Sequence, residues 1–315
     1  MSTGFARKGE PEGESMDDRY TLRYNLRRLL RFSLLSADER PSSPAATESE
    51  VLFDLTGENP DNHLFGRYDL GQVRRIAEEG ELYRGLARLG YPDPILSLSC
   101  ADPSEQRIYI HAGEPVRERL LVELRMQLTN FHPRHAIGPF SESTSFRMLV
   151  MLWLVLSNPD SDFPVDRPRL PGQVRPGLGL LDEVFHLPRT FARELAVDGI
   201  LDVPEHFHTA LFYSRYFQYL DPVAQGRFQA IARDLAGVPL ALASDAIRLG
   251  CLVDLATGLP MPWEPSEQVS TERGPLRRFL GSEEYREARN RARTALRVVV
   301  NWDLYRAKLS SREPE

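Results

Sequence analysis

The chain has 315 residues, of which 42% are hydrophobic and 27% charged, with a formal net charge of -6. This length is about twice that of a common single domain, so one large domain with an appendage and two domains are both open. The longest apolar run, residues 148–156, is shorter than the ~20 residues that span a bilayer. The polar N-terminus, residues 1–16, does not have the pattern of a signal peptide. We therefore expect a cytoplasmic protein without a membrane span.

The cysteines, the charge and the common motifs narrow the classes of site and partner. Cys100 and Cys251 are the two cysteines and no Cys-x-x-Cys pair occurs, which excludes a disulfide framework and a cysteine zinc site. The acidic total argues against nucleic acid as a partner. The sequence also lacks Gly-x-Ser-x-Gly, P-loop and His-Glu-x-x-His motifs, so hydrolase, nucleoside triphosphatase and zincin functions lose their main support.

A basic amphipathic helix is predicted near the N-terminus. It lies between residues 1–16 and 36–50, whose Ser, Glu, Gly and Pro content predicts mobility. Its apolar stripe consists of Leu22, Leu26, Leu29, Leu30 and Leu34, and its polar flank of Arg23, Arg27, Arg28 and Arg31. Such a helix could lie on an anionic membrane or on RNA. Docking on its own domain, on a partner protein or on a second copy is favoured, because one short helix needs a cover.

From residue 51 the pattern changes to alternating helices and strands. The run VLFDL, residues 51–55, predicts a strand, and Asp69 stands where an N-cap would precede a helix. Gly80 falls midway along that helix and is expected to divide it into two. Further strands are predicted over residues 95–100, 106–112 and 120–128. A strand over residues 147–156 is apolar on both faces, so it should lie centrally with helices on both sides.

A Pro/Gly-rich loop follows that central strand and opens into a helix, which Pro188 should kink. The next predicted elements are a strand at 198–203, a helix at about 208–216, a short strand at 218–220 and a capped helix from Asp221. The remainder is predicted to be mostly helical. We therefore predict three regions, namely a mobile N-terminal segment (1–50), an α/β domain (51–222) and a helical C-terminal extension (223–315).

The order of these elements resembles the GNAT superfamily of acyl-CoA-dependent N-acetyltransferases, and the specific resemblance lies in residues 173–220. There QVRPGLGLLDEVFHLPRTFARELAVDGILDV is similar to the family's pyrophosphate loop, helix and strand, and HTALFYSRYFQYLD is similar to its next helix. The resemblance implies a mixed central sheet flanked by helices. It also implies acetyl-CoA or another acyl-CoA as co-substrate, with a small-molecule or protein amine as acceptor.

The glycine loop carries the coenzyme-binding part of the resemblance. Gly177 and Gly179 remove side chains where backbone must approach a ligand, and the helix that follows offers its positive end to a phosphate. The expected coenzyme A site is completed by Gln173, Arg175 and Leu178. The family pattern places an Arg or Gln where this chain has Val174, and Pro176 removes one N–H donor from the loop.

The family's catalytic tyrosine, which protonates the departing thiolate, has two registers here. Alignment on Phe217 places Phe212 at the tyrosine position, whereas alignment on Tyr213 places Gln218 where the family has phenylalanine. One residue of helix is about 100° of rotation, enough to turn a hydroxyl away from the thioester. Tyr213 is therefore the candidate acid, and the alternative is that it packs in the core with Phe212, Phe217 and Tyr216.

His206 and His208 lie between the strand at 198–203 and the following helix, beside the cleft where two central strands separate in the resembling fold. Imidazole titrates near neutrality, so either ring could accept the proton of an ammonium group. A His-x-His pair could also hold a metal, but the sequence identifies no third ligand and we predict no metal site. Structural or capping histidines are the alternative.

The resemblance predicts direct acyl transfer to an amine. Residues 147–156 would offer backbone to the pantetheine arm, and backbone N–H groups would polarise the thioester carbonyl. An acidic loop containing Asp160, Asp162 and Asp166 could attract a cationic acceptor. An inactive GNAT-like binding or scaffold protein is the rival hypothesis, favoured by the departures in the glycine loop and by the terminal extensions. A membrane or nucleic-acid role through the N-terminal helix is a third.

Overall fold

The computed structural model describes residues 63–165 and 167–311. The predicted basic helix, the segments beside it, the predicted strand at 51–55 and Asp166 lie outside these residues. The helices of the described part are α1 (Leu70–Glu79), α2 (Leu82–Arg88), α3 (Leu181–Glu194), α4 (Phe207–Tyr213), α5 (Pro222–Asp234), α6 (Leu240–Arg248), α7 (Gly274–Leu280), α8 (Glu283–Ala295) and α9 (Trp302–Ser310). Its strands are β1 (Pro94–Ser99), β2 (Gln106–Ala112), β3 (Leu120–Phe131), β4 (Phe146–Leu156), β5 (Gly199–Asp202), β6 (Gln218–Tyr219), β7 (Leu252–Asp254), β8 (Gln268–Ser270) and β9 (Val298–Val300).

Among the described residues, seven strands form one mixed sheet in the order β1-β2-β3-β4-β5-β8-β6. The first four pair antiparallel, β4 and β5 pair parallel, and β8 lies antiparallel between β5 and β6. β7 and β9 form a separate two-stranded sheet. The predicted class, a mixed central sheet with flanking helices and a helix-rich C-terminal region, is confirmed.

Both faces of the central strand β4 are covered, as its apolar sequence predicts. Leu149 and Met151 point into one core cluster, together with Phe185 of α3. Met148 points into the opposite cluster, which includes Phe279 of α7. Within residues 63–165 and 167–311, no helix combines the length and the apolar composition needed to cross a membrane.

The predicted division into two helices around Gly80 is confirmed, and the structure supplies a packing reason for the glycine. Asp69 caps α1 by accepting the Gln72 N–H, while the Gln72 side chain accepts the Asp69 N–H. A Cβ on Gly80 would lie 2.6 Å from the Cβ of His186 on α3, so only glycine fits this contact. α3 itself continues from Leu181 to Glu194 with Pro188 inside it.

The region after residue 222 is mostly helical, as predicted, and also contains three short strands. β8 returns to the main sheet, so residues beyond the expected domain boundary complete that sheet. β7 and β9 interrupt the predicted run of helices and pack in a second core with α5, α6 and α9. These strands have three residues each, which is too short for any hydrophobic period to be detected in the sequence.

Candidate functional site

β4 and β5 separate after three paired residues and leave a wedge in the sheet. Residues 148–150 pair with residues 199–201, and β4 then continues to Leu156 with β3 as its strand partner. Leu152 has no counterpart in the register with β3, and such a bulge bends the strand that carries it. The wedge therefore opens at the C-terminal ends of two parallel strands, which is where ligands bind in open α/β sheets.

The C-terminal half of β4, residues 152–156, is more exposed to solvent than residues 148–151. Residues 148–151 are buried, whereas Trp153 is 40% exposed and the other residues from 152 to 156 are partly exposed. Within the described part of the chain, these residues have no strand partner on the side that faces β5. An extended ligand could pair with these backbone groups as an added strand does.

The glycine loop lies beside the end of this exposed half. The Asn158 N–H donates to the Pro176 carbonyl oxygen at 2.8 Å, and a Cβ on Gly177 would lie 3.7 Å from the Leu156 oxygen. Gly179 has a φ of 70°, a left-handed conformation that favours glycine. Because α3 begins two residues later, its first N–H groups, which have no partner inside the helix, lie at the same end of the wedge.

The other three residues predicted for this loop have side chains that hold the loop together. Gln173 Oε1 accepts the Leu170 N–H at 3.1 Å, and the Arg175 guanidinium donates to the Pro159 carbonyl. The Leu178 side chain is buried in the core cluster below α3. Of the predicted coenzyme site, Arg175, Gly177 and Gly179 are thus exposed, Gln173 is half-buried, and Leu178 does not reach the surface.

Two carboxylates stand in the first turn of α3, where an anion would bind. Asp182 lies 3.0 Å from Arg215 and accepts the Tyr216 hydroxyl, and Glu183 lies 3.8 Å from Arg88. Carboxylates at this position already balance the positive end of the helix. A phosphate bound here would have to displace Asp182 from Arg215. The N-terminus of α3 is therefore not an open phosphate site in this structure.

Tyr213 lies in the core and also near the wedge, so the two hypotheses for it are compatible. Its ring packs edge-on against Phe185 of α3 at 5.3 Å, whereas Phe212 is 41% exposed. Burial and the nearby charge of Asp202 raise the pKa of Tyr213 well above its usual value. The phenol therefore stays protonated at neutral pH, as a proton donor must. Tyr216 stacks on Phe185 at 4.4 Å, at the start of α3.

His206 and His208 lie at the start of α4, with their rings stacked at 5.2 Å and 15°. Burial, together with His206, lowers the pKa of His208 to about 3, and burial and Arg248 lower that of His206. Both rings are neutral at neutral pH and hold an added proton weakly. No group of three or more His, Cys, Asp or Glu side chains in the described residues is arranged to hold a metal.

The loop between β4 and α3 reaches His206. A Cβ on Gly172 would lie 3.3 Å from His206 Nε2, so this loop packs closely against the ring. His206 follows the end of β5 by four residues, whereas the loop starts and finishes beside the end of β4. The loop therefore extends across the open end of the wedge.

Asp202, which is not among the site residues predicted from the sequence, lies at the apex of the wedge. It is the last residue of β5 and the first beyond the pairing with β4. The residue is 9% exposed, and its buried Oδ2 has no hydrogen-bond partner among the described residues. Burial raises the pKa of Asp202 to about 7, an effect that the Val203 N–H partly offsets. A buried carboxyl that titrates near neutrality at a strand end is a candidate proton acceptor.

The sequence did contain a signal for Asp202, namely a polar residue that ends an apolar strand. Asp198, at the other end of the same short run, shows the same signal. Its carboxylate accepts the Arg147 N–H at 2.8 Å, so it has a structural role. The sequence alone does not distinguish these two aspartates.

Comparison with known proteins adds no relative. No protein-family model matches the chain, and searches of characterised proteins and of solved structures also give no match. The function must therefore be argued from the wedge, the glycine loop and the buried groups between them.

Proposed function

We propose that this protein is an acyl-CoA-dependent N-acyltransferase that transfers an acyl group, most simply an acetyl group, to an amine. The observation that carries the proposal is the wedge between β4 and β5 with the glycine loop beside its open end. The resemblance of residues 173–220 to the GNAT superfamily supports the same function.

The wedge has surfaces suited to an acyl-CoA. The unpaired edge of residues 152–156 would bind the pantetheine arm through backbone hydrogen bonds. The backbone around Gly177 and Gly179 and the N-terminus of α3 would bind the pyrophosphate. Arg215, once released from Asp182, would supply a positive charge there.

The side chains at the apex supply two opposite proton functions. The bound amine, as R–NH3+, gives one proton to Asp202, and its nitrogen then forms a bond to the thioester carbonyl carbon. The C–S bond breaks, and the leaving thiolate takes the proton of the Tyr213 hydroxyl. The nitrogen then loses its second proton, which reprotonates Tyr213. His206 and His208 remain alternative acceptors of the first proton. Asp202 is favoured because its pKa, about 7, is closer to the working pH than that of His208, about 3.

Binding of acetyl-CoA tests the proposal. A ligand at 100 times its dissociation constant would raise the free energy of unfolding by about 2.7 kcal/mol, visible in thermal unfolding and in calorimetric titration. Gly177→Glu should abolish this stabilisation, because its carboxylate would occupy the phosphate position. Gly237→Glu is the matched control, since Gly237 is also exposed and has no neighbour within 4 Å of an added Cβ. No shift at millimolar acetyl-CoA would contradict the proposal.

Tyr213→Phe tests the assigned acid. Turnover should fall on the order of 10²–10⁴-fold with little change in acyl-CoA affinity, because the hydroxyl acts in the transition state. Tyr216→Phe is the control, since it removes a hydroxyl that Asp182 accepts at the start of α3. Steady-state kinetics and calorimetry on both variants separate turnover from binding. Full turnover in Tyr213→Phe, with loss in Tyr216→Phe, would move the acid to Tyr216.

A catalytically inactive binding or scaffold protein is the second candidate function, and the first turn of α3 favours it. Asp182 and Glu183 occupy the end of the helix where the pyrophosphate would lie, and Val174 stands in place of the family's Arg or Gln. Asp182→Asn separates the two candidates. In an enzyme it should tighten acetyl-CoA binding, because it removes the competitor for Arg215. In a scaffold, neither the wild type nor this variant binds.

A further inference from the structure

A row of buried polar side chains extends from the apex of the wedge across the sheet. Asp202 of β5 lies opposite Gln268 of β8, and Gln268 lies opposite Tyr219 of β6. Residues directly opposite one another in antiparallel strands place their side chains on the same face, about 5 Å apart. The three are 9%, 1% and 2% exposed, respectively.

This row contains hydrogen-bond acceptors that lack donors. Within the described residues, Asp202 Oδ2 and Gln268 Oε1 are inaccessible to water and have no hydrogen-bond partner. Both atoms accept hydrogen bonds when the carboxyl is ionised, and buried polar atoms rarely remain unpaired in folded proteins. The Tyr219 hydroxyl is also buried without a partner, but it has one proton to donate, so at least one of the two acceptors still lacks a donor.

The missing donor should also carry positive charge. Burial and the Val203 N–H account for the pKa of Asp202, so no cationic side chain of the described residues offsets its ionised form. Burial raises the pKa of Tyr213 and of Tyr219, and the charge of Asp202 raises both further, which places both phenols close to the carboxyl. An ionised Asp202 is thus surrounded by neutral groups that an added cation could contact.

The backbone of Tyr219 has hydrogen-bond partners, unlike the side-chain acceptors of the row. The Tyr219 N–H donates to Gln225 Oε1 at 2.7 Å, and the Tyr219 carbonyl accepts the Tyr285 hydroxyl at 2.5 Å. Two long side chains from α5 and α8 thus satisfy the backbone of β6. Within the described residues, the same region leaves the atoms Asp202 Oδ2 and Gln268 Oε1 without a partner.

We infer that the row of Asp202, Gln268 and Tyr219 is an ammonium-binding subsite, and that its ligand is an aliphatic primary amine bound as its cation. The inference rests on the proposed function where it identifies this amine as the acyl acceptor. An R–NH3+ group has three N–H donors for the carboxylate and its neighbours, whereas an alcohol has one and no charge. An arylamine is neutral at pH 7 and would not offset the charge. The alkyl chain would leave through the wedge past Leu154, which lies on the same face of the sheet.

Titration of the full-length protein with n-butylammonium, followed by ¹H–¹⁵N spectra, tests the subsite without acyl-CoA. Saturable shifts are expected at the Gln268 side-chain amide and at the backbone N–H groups of Asp202 and Val203. 1-Butanol at the same concentrations should give shifts at least about tenfold weaker, because it lacks the charge. Asp202→Asn should weaken n-butylammonium binding by at least about tenfold. Gln268→Met is a second variant that keeps the carboxyl and should weaken it less.

Ser244→Ala is the matched control for these variants. Ser244 is also buried with an unpartnered hydroxyl, but it lies on α6 and outside the row, so its variant should bind n-butylammonium as the wild type does. Equal shifts with 1-butanol, or undiminished binding in Asp202→Asn, would overturn the subsite. Binding of n-butylammonium without any binding of acetyl-CoA would support the subsite and contradict the acyltransferase. The reverse result would contradict the subsite alone.

Discussion

At the scale of single residues, burial shifts the pKa values of Asp202 and His208 in opposite directions, because their charged forms have opposite signs. Burial disfavours the charged form of each, so it raises the pKa of the carboxyl to about 7 and lowers that of the imidazole to about 3. The folded protein therefore holds the Asp202 proton more tightly than the unfolded chain does. Between about pH 4 and pH 7, the contribution of Asp202 to stability falls as pH rises. For His208 the contribution falls as pH drops from about 6.5 toward 3.

Asp202→Asn should change the pH dependence of stability. Above pH 7 the variant should be more stable than the wild type, by up to about 4 kcal/mol at 1.36 kcal/mol per pKa unit, because no charge is buried. Below about pH 4 the two should converge, since Asp202 is then protonated in both the folded and unfolded states. Urea unfolding at pH 4, 6 and 8 measures the difference. A difference that stays constant over this range would show that Asp202 is not a buried titrating group.

The candidate site residues that belong to a family motif could be identified from the sequence. Asp202 could not, because its burial and missing partners depend on the fold. Gly177, Gly179 and Tyr213 belong to recognisable motifs, and the structure places them beside the wedge or its apex. Asp202 becomes notable through its burial and lack of partners, which depend on how β4 separates from β5. The ion pair between Asp182 and Arg215 likewise joins residues 33 positions apart, so no local pattern reveals it.

At the scale of elements, glycine contacts determine how closely helices approach. A Cβ on Gly226 of α5 would overlap the Arg289 carbonyl oxygen and lie 2.7 Å from the Ala292 Cβ on α8. Tyr285 of α8 in turn donates to the backbone of β6, which lies beside β8. The crossing of α5 and α8 thus fixes the position of the strands next to Asp202.

Gly226→Val should separate these two helices and destabilise the protein. Overpacking against a backbone atom costs about 1–3 kcal/mol, because the opposing helix must shift. Gly237→Val is the matched control, since an added Cβ at that exposed position has no neighbour within 4 Å. Thermal unfolding of both variants measures the effect. Equal melting temperatures would show that the crossing tolerates a wider separation.

Long helices and strands with a clear hydrophobic periodicity could be predicted from the sequence, whereas strands of three residues could not. β3, β4 and the division around Gly80 follow from alternation, apolar runs and a glycine inside a helical pattern. β8 has three residues, and its place between β5 and β6 depends on contacts with chain segments far away in sequence. β8, the strand that carries Gln268, is therefore defined by its pairing with distant strands and not by its local sequence.

At the scale of the whole molecule, residues beyond 222 form part of the proposed ammonium subsite. They provide β8 and hence Gln268, and they form a second core around Phe228 and Tyr305. The predicted boundary at 222 therefore does not separate a complete sheet from an appendage. The expected helix near the N-terminus lies outside the described residues, and its role stays a prediction.

Deletion of residues 1–50 should leave the fold of residues 63–311 intact and change self-association or partner binding. The leucine stripe of the predicted helix requires a cover, and the strands of the seven-stranded sheet lie between residues 94 and 270. Circular dichroism and analytical ultracentrifugation measure fold and association. An insoluble or unfolded truncated protein would show that the helix belongs to the core.

Hydrogen–deuterium exchange with and without acetyl-CoA tests most directly whether the wedge is the acyl-CoA site. The account predicts slower exchange at the exposed half of β4, residues 152–156, and at the glycine loop and first turn of α3, residues 177–183. Exchange in β1 and β2, which lie away from the wedge, should stay unchanged. Unchanged exchange at residues 152–156 with saturating acetyl-CoA, or protection confined to another part of the chain, would contradict the account.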